Sequence, residues 1–308
     1  MADELIVRRY SVTDRQAWDD FVRGSRNGTF LFERDYLDYH ADRFPDASLL
    51  VECGGELRTI LPATMRDDAL ISHAGLTYGG FVVDGWMTAD RMLKALGAVL
   101  RHAADSGAAR LIYKTIPHIY HRQPAEEDRY ALFRAAARLT RSDLLTVIDC
   151  TERGPVQERR LRSLKRARAA GVEAALTCDF ASFWPLVIEN LTERYGLKPV
   201  HSLEEIELLA NRFPERILLC TATVDGAVAA GAVVYVSDRV CHVQYSATNA
   251  AGRRANALDV VLERLYEWVA QRVRYFDFGV STEANGDYLN SGLVQYKESF
   301  GGRSVVHD

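Results

Sequence analysis

The residues best suited to chemistry are polar side chains within an otherwise apolar, strand-like segment near position 242. In the sequence CHVQYSAT, His242, Gln244 and Ser246 alternate with Val243 and Tyr245. Because side chains of a strand alternate between its two faces, this spacing predicts one face that carries three hydrogen-bonding groups. A buried polar face needs partners or a ligand, and a histidine placed there can act as a general base. A solvent-facing edge strand is the alternative interpretation.

A second polar cluster follows the strand-like run YFDFG at Tyr275–Gly279. Ligands of α/β sheets collect at such strand ends, so the loop beyond it is expected to contribute to a site. Glu283 is flanked there by small polar residues, which suits a general base, and Asn290 is a candidate substrate-binding residue. Lys297 follows in a short helix, where an ammonium group can hold a phosphate or carboxylate. The alternatives are a solvated loop glutamate and an ordinary surface lysine.

A candidate anion site lies between these two segments. The loop after the strand places Gly252, Arg253, Arg254 and Asn256 at the start of a helix. Free backbone N–H groups, the positive end of the helix dipole and two guanidinium groups together predict a pyrophosphate-binding site. Ser246 is expected to complete the cofactor-binding set.

A loop in the first half of the chain collects side chains that bind polar or anionic acceptors: Lys114, His118, Tyr120, His121 and Arg122. Two prolines prevent a helix here, which predicts a structured loop. His118 and His121 have a spacing that suits metal ligands, but no third ligand is evident, and we predict no metal site. His201 is a further candidate for substrate binding, with a purely structural role as the alternative.

These groups must be positioned by a pattern of elements that occurs twice, about 170 residues apart. In each copy a strand precedes a helix that carries a tryptophan, Trp18 or Trp184. A hairpin, another strand, a long amphipathic helix (about 88–106 or 255–271) and a last strand follow. Mixed period-2 and period-3.6 patterning repeated in this way predicts an α/β fold with mixed sheets, built from two similar units.

The predicted domain organisation places a basic helix between the two copies. Its sequence, QERRLRSLKRARAAG, follows Gly154-Pro155 and ends at Gly171. We interpret it as a solvated connector or as a face that contacts phosphate or RNA, since dense like charges repel each other unless an anion is near. The predicted divisions are 1–153 for the first unit, 154–171 for the connector and 172–308 for the second unit.

Composition narrows the classes of function. The chain has 308 residues, a net charge of −4 and 48% hydrophobic residues. This acidic balance gives no general attraction to DNA or to an anionic membrane. The N-terminal residues do not read as a signal peptide, no apolar stretch is long enough to span a bilayer, and the five dispersed cysteines suit a reduced protein. A cytoplasmic location is therefore expected.

These segments and the duplication together resemble the tandem-domain acyltransferases of the GNAT superfamily, and more narrowly the Fem-like "GNAT family N-acetyltransferase" proteins of bacterial polysaccharide gene clusters. The resemblance runs through nearly the whole chain, and FDFGVSTEANGDYLNSGLVQYKESFGG is its most specific segment. It implies that each half is one GNAT unit, a mixed sheet with two splayed strands where the acyl donor enters. It also implies that Lys297 lies by the active cleft. The second unit would then hold the donor site, and the first would serve the acceptor or act as a scaffold.

The resemblance includes one departure. The loop that binds the coenzyme A pyrophosphate in single-domain GNAT enzymes reads [Q/R]-x-x-G-x-[G/A], but here Asn249 comes first and Arg254 replaces a small residue. Either Arg253 and Arg254 replace backbone contacts, or coenzyme A is not the donor. Fem-type transferases represent the second case, since they take an aminoacyl group from a charged tRNA.

The predicted function is an acetyl-CoA-dependent N-acyltransferase. Its acceptor is expected to be the amine of a small polar molecule, such as a nucleotide-linked amino sugar in surface-polysaccharide biosynthesis. The predicted base is Glu283 or His242, and no covalent cysteine intermediate is needed. One alternative is a peptidyltransferase that depends on aminoacyl-tRNA. The other is a GNAT-like binding module without catalytic activity.

Overall fold

The computed structural model describes residues 4–308, except for the side chain of Tyr195. The chain forms two compact units. Unit 1 consists of Met1–Ser142, described from residue 4 on, together with His307–Asp308, and unit 2 consists of Asp143–Val306. The basic helix that we expected to connect the copies lies inside unit 2, because the division between the units falls after Ser142.

Unit 1 contains short strands and four α-helices in its described part. The strands are β1 (Leu5–Arg9), β2 (Leu49–Cys53), β3 (Glu56–Leu61), β4 (Thr64–Arg66), β5 (Ala69–Ile71), β6 (Val82–Val83) and β7 (Arg110–Ile112). The helices are α1 (Arg15–Gly24), α2 (Arg34–Leu37), α3 (Ala89–Asp105) and α4 (Glu127–Arg134). Single 3-10 turns lie at Val12–Asp14, Phe30–Phe32, Asp38–His40 and His118–Tyr120. The strands form two sheets, in the orders β1-β2-β3-β6 and β4-β5-β7.

Unit 2 is built on one larger sheet. Its strands are β8 (Asp143–Asp149), β9 (Ala174–Thr177), β10 (Ile217–Val224), β11 (Ala227–Val236), β12 (Val240–Thr248), β13 (Tyr275–Val280), β14 (Thr282–Glu283), β15 (Tyr288–Leu289) and β16 (Arg303–His307). Its helices are α5 (Glu158–Ala169), α6 (Phe180–Tyr195), α7 (Leu203–Arg212), α8 (Ala250–Ala255), α9 (Ala257–Val269) and α10 (Ser291–Glu298), with a 3-10 turn at Ala284–Gly286. The sheet order is β16-β8-β13-β12-β11-β10-β9, and β14 and β15 form a separate hairpin.

The core of unit 2 lies between this sheet and α9. The apolar side of α9, which includes Val261, Leu265 and Val269, packs on small strand residues such as Ala232 and Cys241. Each large side chain buried in this way contributes about 1.5–3 kcal/mol to folding. The apolar periodicity of the sequence therefore determines which side of α9 faces the sheet.

Helix α5 has two different sides. Its inner side packs Leu164 and Ala167 into the same core, and the buried Arg160 forms an ion pair with Asp259 of α9. Its outer side exposes a set of cations: Arg159, Arg162, Lys165, Arg166 and Arg168. The helix is thus an integral part of unit 2 with a solvated basic face.

The predicted repeat is present in the order of the elements. In unit 1, β1, α1, the β2–β3 hairpin, β5, α3 and β7 follow one another. In unit 2, β9, α6, the β10–β11 hairpin, β12, α9 and β13 do so in the same order. The central pairing is also shared, because β5 pairs in parallel with β7 as β12 does with β13. The predicted α/β class with mixed sheets and two similar units is confirmed.

Candidate active site

Two parallel strands of unit 2 separate in the middle of the sheet. Strands β12 and β13 pair at three positions, of which the last joins His242 to Asp277. Beyond His242, β12 continues along β11 to Thr248, while β13 continues along β8 to Val280. A gap therefore opens between β12 and β13 directly after the His242–Asp277 pair.

Glycine permits β13 to bend at the start of this gap. The pairing of β13 with β8 shifts register between Asp277 and Val280, and Gly279 has a φ of +76°. This left-handed conformation strains residues that carry a Cβ. A Cβ at Gly279 would also lie 3.3 Å from Cε1 of His242. The glycine of the YFDFG motif thus allows β13 to turn away while staying against the histidine.

His242 and Asp277 form a hydrogen-bonded dyad. Nδ1 of His242 donates to Oδ2 of Asp277 at 2.7 Å, and the Asp277 side chain is fully buried. Because Nδ1 carries the proton in this bond, Nε2 has a lone pair that can accept a proton from a ligand. The arrangement is that of a general base oriented by a carboxylate.

Asp277 is kept ionised by its neighbours. Burial alone raises the pKa of the carboxyl group, but the His242 interaction, the Gly279 N–H donated at 2.7 Å and the positive charge of Lys297 outweigh burial. The pKa of Asp277 therefore lies below its ordinary value. The sequence analysis did not single out Asp277, although an acidic residue inside the aromatic run YFDFG was an available signal.

Lys297 lies below the bend of β13. Its Nζ donates to the carbonyl oxygens of Gly279 at 2.9 Å and Val280 at 2.5 Å, and the residue is 7% exposed. Burial lowers the pKa of Lys297 to about 8, while the charge of Asp277 acts in the opposite direction. The lysine thus contacts the strand that carries the dyad, and it is not an ordinary surface lysine.

A β-bulge changes which side chains of β12 share a face. Tyr245 pairs with Val233 and Val243 pairs with Val234, so Gln244 is an extra residue without a partner on β11. His242 lies opposite Tyr235 and Ser246 opposite Ala232. Positions 232 and 235 differ by an odd number, so His242 and Ser246 belong to opposite faces. The prediction of one face shared by His242, Gln244 and Ser246 was therefore wrong, since it assumed a regular strand.

The backbone of β12 presents one residue to the gap. Asn249 N–H donates to Ala229 O of β11, whereas the N–H and C=O of Thr248 bond to the side chain of Asn190 in α6. Backbone groups of successive strand residues point to opposite edges. Ser246 therefore directs its N–H and C=O to the same edge as Thr248, away from β11 and into the gap.

Tyr245 and His201 form a buried pair beside the bulge. Nδ1 of His201 and the Tyr245 hydroxyl are hydrogen-bonded at 2.6 Å, and both residues are buried. Burial raises the pKa of Tyr245 to about 12. The Tyr245 ring packs edge-on against Trp184 of α6 at a centroid distance of 5.2 Å. Two of the predicted substrate-binding residues thus contact each other one strand position away from Gln244.

The turn between β12 and α8 differs from an open anion cradle. Gly252 N–H donates to the side chain of Asn249 at 2.8 Å, and a Cβ at Gly252 would lie 2.2 Å from Ala229 O. Gly252 is thus needed for packing, and its amide is already engaged. Arg253 donates from Nη1 to Thr248 O at 2.9 Å.

The rest of this turn is open to solvent. The Arg253 and Arg254 side chains are both exposed, and Asn256, with a φ of +56°, separates α8 from α9. What the turn offers to a diphosphate is therefore its arginine side chains.

The other predicted residues of unit 2 lie in the loop after β13. Glu283 Oε1 accepts a hydrogen bond from Asn290 Nδ2 at 2.7 Å, and Asn290 Oδ1 accepts the N–H of Leu293. Asn290 thus caps α10 and holds Glu283. Both carry identifiable structural contacts outside the dyad.

The predicted acceptor loop belongs to unit 1, where most of its polar groups bond to backbone carbonyls. Lys114 Nζ donates to Leu76 O, His121 Nε2 bonds to Ile116 O, and Arg122 donates to Ser25 O. Tyr120 is buried, and His118 is exposed. The residues of this loop therefore stabilise unit 1 locally, and the structure gathers them separately from the dyad of unit 2.

Two general searches of residues 4–308 bear on the class of site. No group of three or more His, Cys, Asp or Glu side chains in this range is arranged to hold a metal ion. Within the same range, no helix combines the length and the apolar character needed to cross a bilayer.

Comparison with known proteins identifies the fold of this site. The acetyltransferase (GNAT) domain family matches residues 157–298, which lie in unit 2. No curated protein matches the chain.

Solved structures match over both units. The crystal structure of FemX superposes with a TM-score of 0.67 at 12% identity, covering 98% of this chain and 96% of that one. The C-terminal domain of a putative lysylphosphatidylglycerol synthetase from Agrobacterium fabrum gives a TM-score of 0.62 at 14% identity, covering 96% and 90%. A tandem GNAT protein from the clavulanic acid biosynthesis pathway gives 0.50 at 15% identity, covering 99% and 98%. At these identities the likeness concerns the fold.

Proposed function

We propose, from the premise that this chain is a GNAT-superfamily protein with two units, that it is an N-acyltransferase whose reaction takes place in unit 2. The observation that carries the proposal is the parting of β12 and β13 directly after the His242–Asp277 pair. A general base, an ionised partner and unpaired strand backbone meet at one place there.

His242 is the proposed general base. The acceptor amine attacks the carbonyl carbon of the donor, and Nε2 of His242 accepts the proton that the amine nitrogen loses. As the new N–C bond forms, the bond between the carbonyl carbon and the leaving group breaks, and the protonated His242 returns its proton to the leaving group. Asp277 holds the ring in the required tautomer and stabilises its protonated form.

The backbone of β12 is proposed to polarise the donor carbonyl. Ser246 directs its N–H into the gap, and a fixed N–H donor stabilises the negative charge that develops on the carbonyl oxygen. Because this donor belongs to a paired strand, it needs little reorganisation during the reaction. The exposed Ser246 side chain is not required for this role.

The proposed donor is acetyl-CoA. An extended arm can lie along the edge of β12 between His242 and Thr248, and the guanidinium groups of Arg253 and Arg254 can contact its phosphates. These side chains replace the backbone contacts that Gly252 cannot supply, since its amide bonds to Asn249. The proposed acceptor is the amine of a small polar molecule such as a nucleotide-linked amino sugar.

An aminoacyl-tRNA donor is the second candidate. Two observations favour it: the engaged amide of Gly252 and the exposed basic side of α5, which would suit a nucleic acid backbone. Charge reversal of Arg159, Arg162 and Arg166 separates the two donors. It should abolish a reaction that depends on tRNA and leave a reaction with acetyl-CoA nearly unchanged.

A thermal melt with acetyl-CoA, free CoA and ATP tests the donor. A ligand at 100 times its dissociation constant stabilises the protein by about 2.7 kcal/mol, which moves the melting midpoint measurably. We expect stabilisation by both CoA species and none by ATP. No shift at millimolar acetyl-CoA would contradict this donor and make charged tRNA the next ligand to test.

Kinetics of His242→Gln test the base. We expect the rate of amine acylation to fall by ~10²–10⁴-fold, the range typical of general acid–base catalysis, while donor binding is retained. A variant that keeps most of its activity would remove His242 from the mechanism.

A further inference from the structure

We propose that Lys297 and Asn190 are positioning residues that hold β13 and β12 apart by taking the place of missing strand partners. The inference rests on the proposed function, because it concerns the gap in which the donor would bind. It assigns Lys297 a role different from direct contact with substrate, and it adds Asn190, which the sequence analysis did not select.

On the β13 side, Lys297 satisfies two carbonyl groups. Past Asp277 this strand no longer pairs with β12, so its backbone needs other partners in a buried setting. Nζ of Lys297 donates to both Gly279 O and Val280 O, while Asp277 accepts the Gly279 N–H. The bend is thus fixed by side chains, and a single ammonium group bonds two successive carbonyls.

On the β12 side, Asn190 acts as a substitute peptide group. Its Oδ1 accepts the N–H of Thr248 at 3.4 Å, and its Nδ2 donates to Thr248 O at 3.2 Å. A neighbouring strand would supply this same combination of acceptor and donor. Nδ2 also donates to Leu186 O within α6, and Asn190 is 8% exposed, so its amide is fixed in orientation.

The two contacts define the ends of the open edge. The His242–Asp277 pair closes the edge at one end, and the Asn190–Thr248 contact closes it at the other. Between them, Ser246 directs its N–H and C=O into the gap. Each clamp removes an opportunity for β13 or α6 to collapse onto this edge, so the edge is prepared before a ligand arrives.

Amide hydrogen exchange of Lys297→Met and Asn190→Leu tests the proposal without a substrate. We expect exchange at Gly279–Ser281 to rise at least tenfold in Lys297→Met, and exchange at Ser246–Thr248 to rise similarly in Asn190→Leu. Exchange in the β10–β11 hairpin should stay within twofold of the wild-type value. Lys297→Arg should restore slow exchange, since a guanidinium can also donate to both carbonyls. Lys114→Met, which removes a lysine–carbonyl contact from unit 1, is the matched control and should leave both segments of unit 2 unchanged.

Binding of acetonyl-CoA, a ketone analogue of acetyl-CoA, links the clamps to the donor. We expect the wild type to bind it and both variants to bind it at least tenfold more weakly, with Lys297→Arg close to wild type. Unchanged local exchange, or exchange that rises uniformly through unit 2, would overturn the positioning role. If the wild type itself does not bind acetonyl-CoA, the proposed donor fails, and the exchange results alone decide the role of the clamps.

Discussion

The two units differ most at the one place where their strand pairing is most alike. In unit 1, β5 pairs in parallel with β7 at three positions, the last joining Ile71 to Ile112. In unit 2, β12 pairs with β13 at three positions and then runs on without interruption to Thr248. In unit 1 the chain leaves the sheet after Ile71 and returns as β6 beside β3. The interrupted strand and the continuous strand give two different uses of one plan.

In unit 1 the polar groups at this place bond to the protein itself. The hydroxyl of Tyr113, directly after β7, accepts the Phe81 N–H at 2.7 Å and donates to Asp128 at 2.5 Å. Gly80 packs against the same hydroxyl, since a Cβ there would lie 2.6 Å from it. In unit 2 the last pair carries the dyad, and the next part of β12 faces a gap. The comparison indicates that a GNAT-like unit can serve as scaffold when the loop after its last parallel pair is anchored internally.

The largest effect is expected from Asp277→Asn in unit 2. The amide keeps the shape of the carboxylate but cannot stabilise a protonated His242, so acylation should slow by ~10²–10⁴-fold. Steady-state kinetics with the donor and acceptor measure this loss. Asp143→Asn is the control, because Asp143 is also buried in the sheet of unit 2 but bonds to Thr282. Equal losses in the two variants would show that the dyad has no special role.

Tyr113→Phe tests the closed arrangement of unit 1. The variant leaves the Phe81 N–H and the Asp128 carboxyl group without their shared partner, which should destabilise unit 1 by about 1–3 kcal/mol. Denaturant unfolding followed by amide exchange in β2 and β3 measures the change. Donor binding by unit 2 should be unaffected, and a loss of binding would contradict the separation of roles.

His73, in the loop between β5 and β6, is expected to make unit 1 sensitive to acid. It is 3% exposed, and burial lowers its pKa to about 3. Since the unfolded chain binds a proton near pH 6.5, stability is complete above that pH and falls as the pH drops toward 3. Between pH 7 and pH 5, the wild type should lose about 2 kcal/mol more than His73→Asn. Asparagine tolerates the positive φ of 57° found here. Exchange rates of β2 and β3 at both pH values measure the difference, and equal losses would contradict it.

The smallest effect is expected from Glu283→Gln. Glutamine keeps an oxygen that can accept the Asn290 bond, and the residue is separate from the dyad, so the acylation rate should change by less than about threefold. The same kinetic assay measures it. A loss comparable to that of Asp277→Asn would return the role of base to Glu283.

Much of the fold could be predicted from the sequence because it depends on periodicity. The apolar stripes of α3 and α9, the two hairpins and the repeat of their order are all properties of residue spacing. The division after Ser142 could not be predicted in this way. It depends on β8 pairing with β13, a contact between residues far apart in the chain.

The candidate site was predicted only in part. His242 was selected because a histidine in an apolar strand needs a partner, but the partner, Asp277, was not identified. The bulge at Gln244 reverses the faces of the following residues, and a one-residue shift leaves no mark in the alternation of side chains. The roles of Lys114 and Arg122 depend on carbonyl groups, whose positions the side-chain sequence does not report.

The position of β8 has a consequence for how the chain must fold. β8 lies between β13 and β16 in the sheet, and Ile148 pairs with Phe276, 128 positions later in the chain. Such distant contacts make folding slow, because a long loop must close before they form. During synthesis, β8 is made before either of its neighbours, so its edges must stay free of other strands until the last part of the chain emerges. A fragment that begins at Val172 would lack this strand and leave β13 and β16 with open edges prone to association.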